Sequence, residues 1–184
     1  MKSRIFNLSQ LKGMVADGYL IYDLEPDSTN RQLYWMHISQ YDANHTLVRE
    51  EDYVNMSAVD QAKQLHVLRA LDKPYSEVAL PMKQYKARLS RYLNSEDVVN
   101  LPLFGYATDA TDLPILNKLV HGSRRTVYDL ARAYGVATKK PLISLDILAH
   151  KLSQGKAPKQ ASRNHNPAQD VELTNYVLQG MLNI

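Results

Sequence analysis

Apolar positions follow one spacing in the first third of the chain and another beyond it. Residues 19–25, YLIYDLE, are short, apolar and rich in aromatic and branched side chains, which predicts a β-strand. Leu33 to Tyr41 predicts a second strand, with Leu33, Trp35 and His37 on one face and Tyr34, Met36 and Ile38 on the other. Asp42-Ala43-Asn44-His45 is turn chemistry, and a third strand is expected from about Thr46 to Val54. Strands joined by such short links predict an antiparallel meander.

From Ser57 the spacing becomes helical. Ser57 is expected to cap a helix to about Leu71, with Ala58, Ala62, Leu65 and Leu68 inward. Pro74 separates it from a second helix, about Ser76 to Leu93, whose Lys83, Lys86, Arg88 and Arg91 form a solvated face. A strand follows over Val98 to Tyr106, then a helix from Asp112 to Val120 and a short strand over Arg125 to Asp129. Ser144 to Leu152 is a helix with Ile147 and Leu148 inward. After a basic loop, Asn166 and Gln169 match a capping box and Pro167 falls at the first helical position, so a last helix runs to about Leu182. This order predicts an α/β domain, a mixed sheet with helices on both faces. It resembles the element order of the ribonuclease H-like fold. Residues 1–17 are expected to form an N-terminal extension and residues 18–184 a single domain.

Composition narrows the chemistry. A chain of 184 residues is long enough for one sizeable core. It has no cysteine, which excludes disulfides, thiolate catalysis and cysteine zinc sites. A net charge of +3 permits a polyanionic partner. The N-terminus lacks the apolar stretch of a signal peptide, and no run reaches the length of a membrane span, so a cytoplasmic protein is expected.

Three segments carry candidate chemistry. Asp23 and Glu25 are two apart on a strand, so both carboxylates project from one face. Burial there would set them against each other unless a cation lay between them, whether lysine, arginine or a divalent metal. A strand end open to solvent would also accommodate them. Asp112 opens a helix, where an acid complements the helix dipole whatever else it does. His165 lies just before the last helix and Asp170 about one turn inside it, leaning back toward His165.

Asp-x-Glu on an early strand, an aspartate opening a middle helix and His-x-x-x-x-Asp opening the last helix together resemble the DEDDh (DnaQ-like) family of 3′→5′ exonucleases. That family includes the proofreading epsilon subunit of bacterial DNA polymerase III, oligoribonuclease and ribonuclease T. The resemblance runs from about Gly18 to the C-terminus. DLPILNKL and PLISLDILAHKL are similar to the family's helices after the second motif and before the third. Pro26 and Asp27 depart from the family's usual threonine, and Ala107 and Thr108 from its histidine-asparagine pair, positions that usually help hold the terminal nucleotide.

The resemblance implies a two-metal hydrolase that releases nucleoside 5′-monophosphates from single-stranded 3′ ends. Asp23, Glu25, Asp112 and Asp170 would hold two Mg²⁺ or Mn²⁺ ions, hard cations suited to oxygen ligands. His165 would be the general base, and Leu24 and Arg163 would contact substrate. Lys118, Arg124, Arg125, Lys139, Lys140, Lys151, Lys156 and Lys159 are further candidates for phosphate contacts. DNA is favoured over RNA. An exoribonuclease acting on short RNA and a degenerate nucleic-acid-binding member are the alternatives. Some members join a polymerase through a long C-terminal tail. A polymerase partner is allowed here, but the chain ends soon after its last helix, so no such tail is expected. The sequence leaves the oligomeric state open.

Overall fold

The computed structural model describes residues 1–26, 33–71, 73–108, 112–120, 125–158 and 166–184. Its described strands form one seven-stranded mixed sheet. These are β1 (Lys2–Arg4), β2 (Tyr19–Pro26), β3 (Leu33–Tyr41), β4 (Leu47–Asn55), β5 (Ala79–Leu80), β6 (Leu103–Gly105) and β7 (Thr126–Asp129), in the spatial order β1-β7-β6-β2-β3-β4-β5. The meander β2-β3-β4 is antiparallel, as the short links predict. β6 runs parallel to β2, β7 to β6 and β1 to β7, so β2 joins the antiparallel meander to a parallel side, while the short β5 runs parallel to β4 at the far edge.

Helices cover both faces. On one face α1 (Leu8–Met14), α6 (Leu130–Thr138), α7 (Leu145–Leu152) and α8 (Pro167–Met181) bury Tyr19, Ile21 and Phe104. On the other, α4 (Met82–Leu93) and α5 (Asp112–Leu119) bury Leu20, Tyr22 and Leu24. Neighbours along β2 thus supply opposite cores, the period-2 alternation of a strand. A smaller cluster around Trp35 and Val54 lies under α2 (Gln61–Ala70) and α3 (Tyr75–Val78). α8 crosses α7 closely at Gly180, where any β-carbon would collide with Leu152.

Several elements differ from expectation, each for a local reason. Residues 1–17 supply β1 and α1, and α1 buries Leu11 completely. The helix expected from Ser57 starts at Gln61, because Asp60 caps it by accepting from the Lys63 N–H at 2.9 Å. That phase turns Val67 inward and leaves Leu65 and Leu68 exposed. Pro81 divides the next predicted helix, and Ala79–Leu80 instead pairs with β4. The predicted strand from Val98 shrinks to β6. Arg125 donates to the carbonyls of Leu93, Val98 and Leu101, which holds the preceding residues in turns. Arg125 is therefore committed to the fold rather than to phosphate. α6 is not marked by its sequence, because two of the four residues it buries, Ala131 and Ala133, are small and Gly135 interrupts the run. In α7, Leu148 is buried but Ile147 is exposed.

Candidate active site

β2 ends where the sheet changes from antiparallel to parallel, and its last turns carry the acids. Asp23 pairs in register with His37, and Glu25 with Trp35, on the face covered by α8. α8 is started by Asn166, whose side chain accepts from the Ala168 N–H at 3.0 Å, and Pro167 follows with its φ already set for a helix. This start puts Asp170 in the first turn, buried against the sheet. Asp23, Glu25 and Asp170 each bring a carboxylate oxygen to within 4.8 Å of the others.

Asp112, the first residue of α5, comes from a different direction and lies outside that close set. Its charge nevertheless reaches the site. Burial raises the Asp23 carboxyl well above the usual carboxylate range, and Asp112, Asp170 and Glu25 raise it further, in that order. Glu25 is pushed up to about 8, first by burial and then by Asp170 and Asp112. Asp112 is pushed up to about 7, by burial and by Asp129. A low-dielectric site that gathers carboxylates disfavours the ionised forms of Asp23, Glu25 and Asp112. A divalent cation reverses that preference, and these donors are the hard oxygens it prefers. The donor set thus fits Mg²⁺ or Mn²⁺.

Asp129, which is no candidate from the sequence, is fully buried at the end of β7. It caps α6 by accepting from the Arg132 N–H at 3.1 Å. The same carboxylate accepts from the Ala107 and Thr108 N–H groups at 3.2 and 2.9 Å. Thr108 in turn accepts from the Leu113 N–H at 2.9 Å. Asp129 thereby ties the end of β6 to the first turn of α5, the element that carries Asp112. Nothing local in the sequence marks this second role, because the Ala107 and Thr108 partners lie more than twenty residues away.

The other candidates fall as follows. Leu24 is buried under α4 and α5, on the sheet face opposite the acids. His165, Arg163, Lys159, Arg124 and Asp27 lie outside the described residues. Lys118, Lys139, Lys140, Lys151 and Lys156 are exposed. A groove of about 510 Å³ runs beside α8, lined by residues that include Ser39, His45, Glu50, Asn166, Gln169 and Glu172.

A second polar cluster adjoins the first on β3 and β4. His37 Nδ1 lies 2.7 Å from Asp52, and its Nε2 lies 3.0 Å from Ser39 Oγ and 3.4 Å from Glu50. Ser39, His37 and Asp52 have the order of a hydrolytic triad. The serine, however, is only 1% exposed. Burial pulls the imidazole's pKa down, but its hydrogen bonds to Asp52 and Glu50 outweigh that and raise it. An imidazole held toward its charged form is a poor general base, so this cluster is structural.

No protein-family model matches the chain, and no curated protein matches it. Among solved structures, the chain is similar to S. pombe Pop2p in its Mg²⁺- and Mn²⁺-bound form. The TM-score is 0.54 and the identity 11%, over 100% of this chain and 92% of that one. Together with the sheet order, this likeness establishes a ribonuclease H-like fold for the chain.

Proposed function

We propose that this protein is a divalent-metal-dependent 3′→5′ exonuclease of the DEDD class, with residues 18–184 as the unit that carries its site and β1 and α1 built onto the sheet and core of that unit. The observation that carries the reading is the convergence of Asp23, Glu25 and Asp170, from β2 and α8, within reach of the charge on Asp112. The bound Mg²⁺ and Mn²⁺ of Pop2p, a protein of the same fold, support the choice of cation. Mg²⁺ or Mn²⁺ bound here would acidify a water and offset the charge on the leaving 3′ oxygen.

The chain's own residues divide the remaining work. Asp23, Glu25, Asp112 and Asp170 hold the cations. Asp23 and Glu25 do so from a β-strand, where backbone pairing on both sides limits their movement. His165, five residues before Asp170, takes the proton from the attacking water, a task suited to an imidazole whose ordinary pKa is near 6.5. Arg163 contacts a phosphate. Leu24, its side chain in the core, offers only backbone to the terminal base. The product is a nucleoside 5′-monophosphate. Single-stranded DNA is favoured over RNA. A cytoplasmic location is part of this proposal. Separately, no helix among the described residues is long and apolar enough to cross a membrane.

One observation favours a second reading, a family member that binds nucleic acid without efficient cleavage. Ala107 and Thr108 stand where the family usually grips the terminal nucleotide. Thr108 is fully buried, and both backbone N–H groups bond Asp129. Digestion of 5′-labelled DNA and RNA oligomers of one sequence tests both readings and the choice of nucleic acid. With Mn²⁺, a ladder shortening from the 3′ end is expected. It should disappear with EDTA and in His165→Ala and Asp170→Ala variants that keep the wild-type circular dichroism. Retention of every oligomer at full length in Mn²⁺ would overturn the exonuclease reading and leave the binding one.

A further inference from the structure

A second constellation of charge lies on the far face of the sheet. Glu51 pairs in register with Ile38, and Ile38 with Tyr22, so Glu51 shares the face of Tyr22, opposite Asp23. Glu51 is 8% exposed, and each of its oxygens holds a guanidinium. Arg49 reaches Oε1 through Nε and Nη2, at 2.9 and 2.6 Å, and Arg88 reaches Oε2 through Nη2 at 2.6 Å. Arg49 lies over the ring of Tyr92 at 4.7 Å, and Arg88 over Tyr53 at 5.2 Å. The expectation that Arg88 belongs to a merely solvated face therefore does not hold.

A groove of about 410 Å³ opens onto this array. Its lining includes Arg49 from β4 and Arg88 and Arg91, one turn apart on α4, with Tyr53, Tyr92 and Ser95. Tyr53 and Tyr92 are at most 4% exposed, and neither hydroxyl has a hydrogen-bond partner among the described residues. Buried hydroxyls are ordinarily satisfied, and leaving one without a partner costs about 1–3 kcal/mol. Among the described residues of the lining, three arginines face two acids, Glu51 and Asp97, an excess of positive charge. Arg91 is in no ion pair among the described residues. Only Glu51 of the array is buried; the Arg49 and Arg88 side chains are 47% and 40% exposed, and ion pairs to such exposed groups add little to stability. What such an array does well is fix two guanidinium planes, with N–H donors left over after Glu51 and the Glu77 carbonyl are served. That geometry suits a tetrahedral oxyanion.

We infer that this groove is a binding site for a phosphate monoester, built on the Arg49–Glu51–Arg88 array, completed by Arg91 and separate from the carboxylate site. Its volume, within the range of small-ligand sites, suits a ligand of mononucleotide size rather than a long strand. The two guanidiniums recognise the phosphate oxygens. The Tyr53 and Tyr92 hydroxyls are the groups a bound oxyanion would satisfy once the arginines shift to receive it. The acid-lined groove beside α8 lacks this complement.

The test uses the full chain in EDTA, with arginine Nε–Hε signals followed by NMR during titration with inorganic phosphate, adenosine 5′-monophosphate and, for comparison, sodium chloride. Saturable shifts at Arg49 and Arg88 are expected with both phosphates. They should persist in Asp23→Asn, weaken roughly tenfold in Arg91→Gln, and be lost in Arg88→Gln. A response to the nucleotide alone would show that the nucleoside is needed, and a response to both that the phosphate suffices. Because Arg88→Gln also breaks the array, Arg91→Gln, which leaves it intact, is the deciding variant. Equal affinity in Arg91→Gln and wild type, shifts that chloride reproduces, or loss of binding in Asp23→Asn would each overturn the site. None of these outcomes depends on whether the chain cleaves nucleic acid.

Discussion

Asp23 and His37 face each other across adjacent strands, yet the acids around them are held in opposite ways. On β3 and β4, Asp52 is buried, but His37, the Trp35 N–H and Lys73 surround it. Burial would raise its pKa and is the largest single influence; the bond and charge of His37, the Trp35 N–H and Lys73 together outweigh it and bring the pKa below the usual carboxylate value. On β2 and α8, the charges that most affect Asp23 are other carboxylates, and its pKa moves up. Two buried acid clusters on one face of one sheet thus differ in the sign of their shift. A cluster whose charges cancel is structure. A cluster that repels itself lowers the stability of the fold and is retained where something outside the chain relieves it.

The largest expected effect separates the two clusters directly. Asp23→Asn should reduce Mn²⁺-dependent cleavage by at least about 10²–10³-fold, yet leave the protein as stable as wild type or more so without metal. Activity assays paired with chemical denaturation check this; unchanged cleavage would remove Asp23 from the site. His37→Ala should do the reverse, costing roughly 3–5 kcal/mol by leaving Asp52 buried without its main partner, while activity per folded molecule is retained. A stability loss under about 1 kcal/mol would mean that the second cluster is not held as described.

Asp129→Ala should fall between the clusters. It removes the acceptor of the Ala107, Thr108 and Arg132 N–H groups, so about 1–3 kcal/mol of stability is expected to go. Mn²⁺ affinity, followed by calorimetry, should fall as well, because α5 and its Asp112 lose their anchor. Full metal affinity in a destabilised variant would confine Asp129 to capping α6.

The smallest effect is one of pH. Unfolded carboxyls titrate near 4, while Glu25 and Asp112 in the fold titrate near 8 and 7. Between these limits the folded chain holds more protons than the unfolded chain, so stability falls as the pH rises through about 4 to 8. Differential scanning fluorimetry in EDTA should show the melting temperature dropping over that window by about 2–4 °C per kcal/mol. Mn²⁺ should reverse the drop at the alkaline end. A melting temperature that is flat with pH in EDTA, or indifferent to Mn²⁺ at pH 8, would mean that the acids do not repel one another.

Much of the frame was legible because it rests on local rules. The meander follows from short links between alternating strands, and the start of α8 from Asn166 and Pro167. The misreadings share a cause. Leu65 and Leu68 looked like a core face, but the Asp60 cap set the helix phase and turned Val67 inward instead. Val98 to Pro102 looked like a strand, but Arg125, which reaches back from β7, claims its carbonyls. β1 and α1 were invisible as parts of the domain because β1 has only β7, more than 120 residues later, to pair with.

Spacing alone put Asp23 and Glu25 on one side of a strand and Asp170 one turn into a helix, since strand and helix periods follow from backbone geometry. Spacing could not say whether those acids met, or at what cost. The tertiary structure decided that α8 lies over β2, that Asp112 arrives from the opposite side, and that the neighbouring acid on β4 is balanced by His37. Those outcomes depend on distances between residues far apart in the chain. At such sites the electrostatic energy of a carboxylate is set by its neighbours in space, whatever their order in sequence.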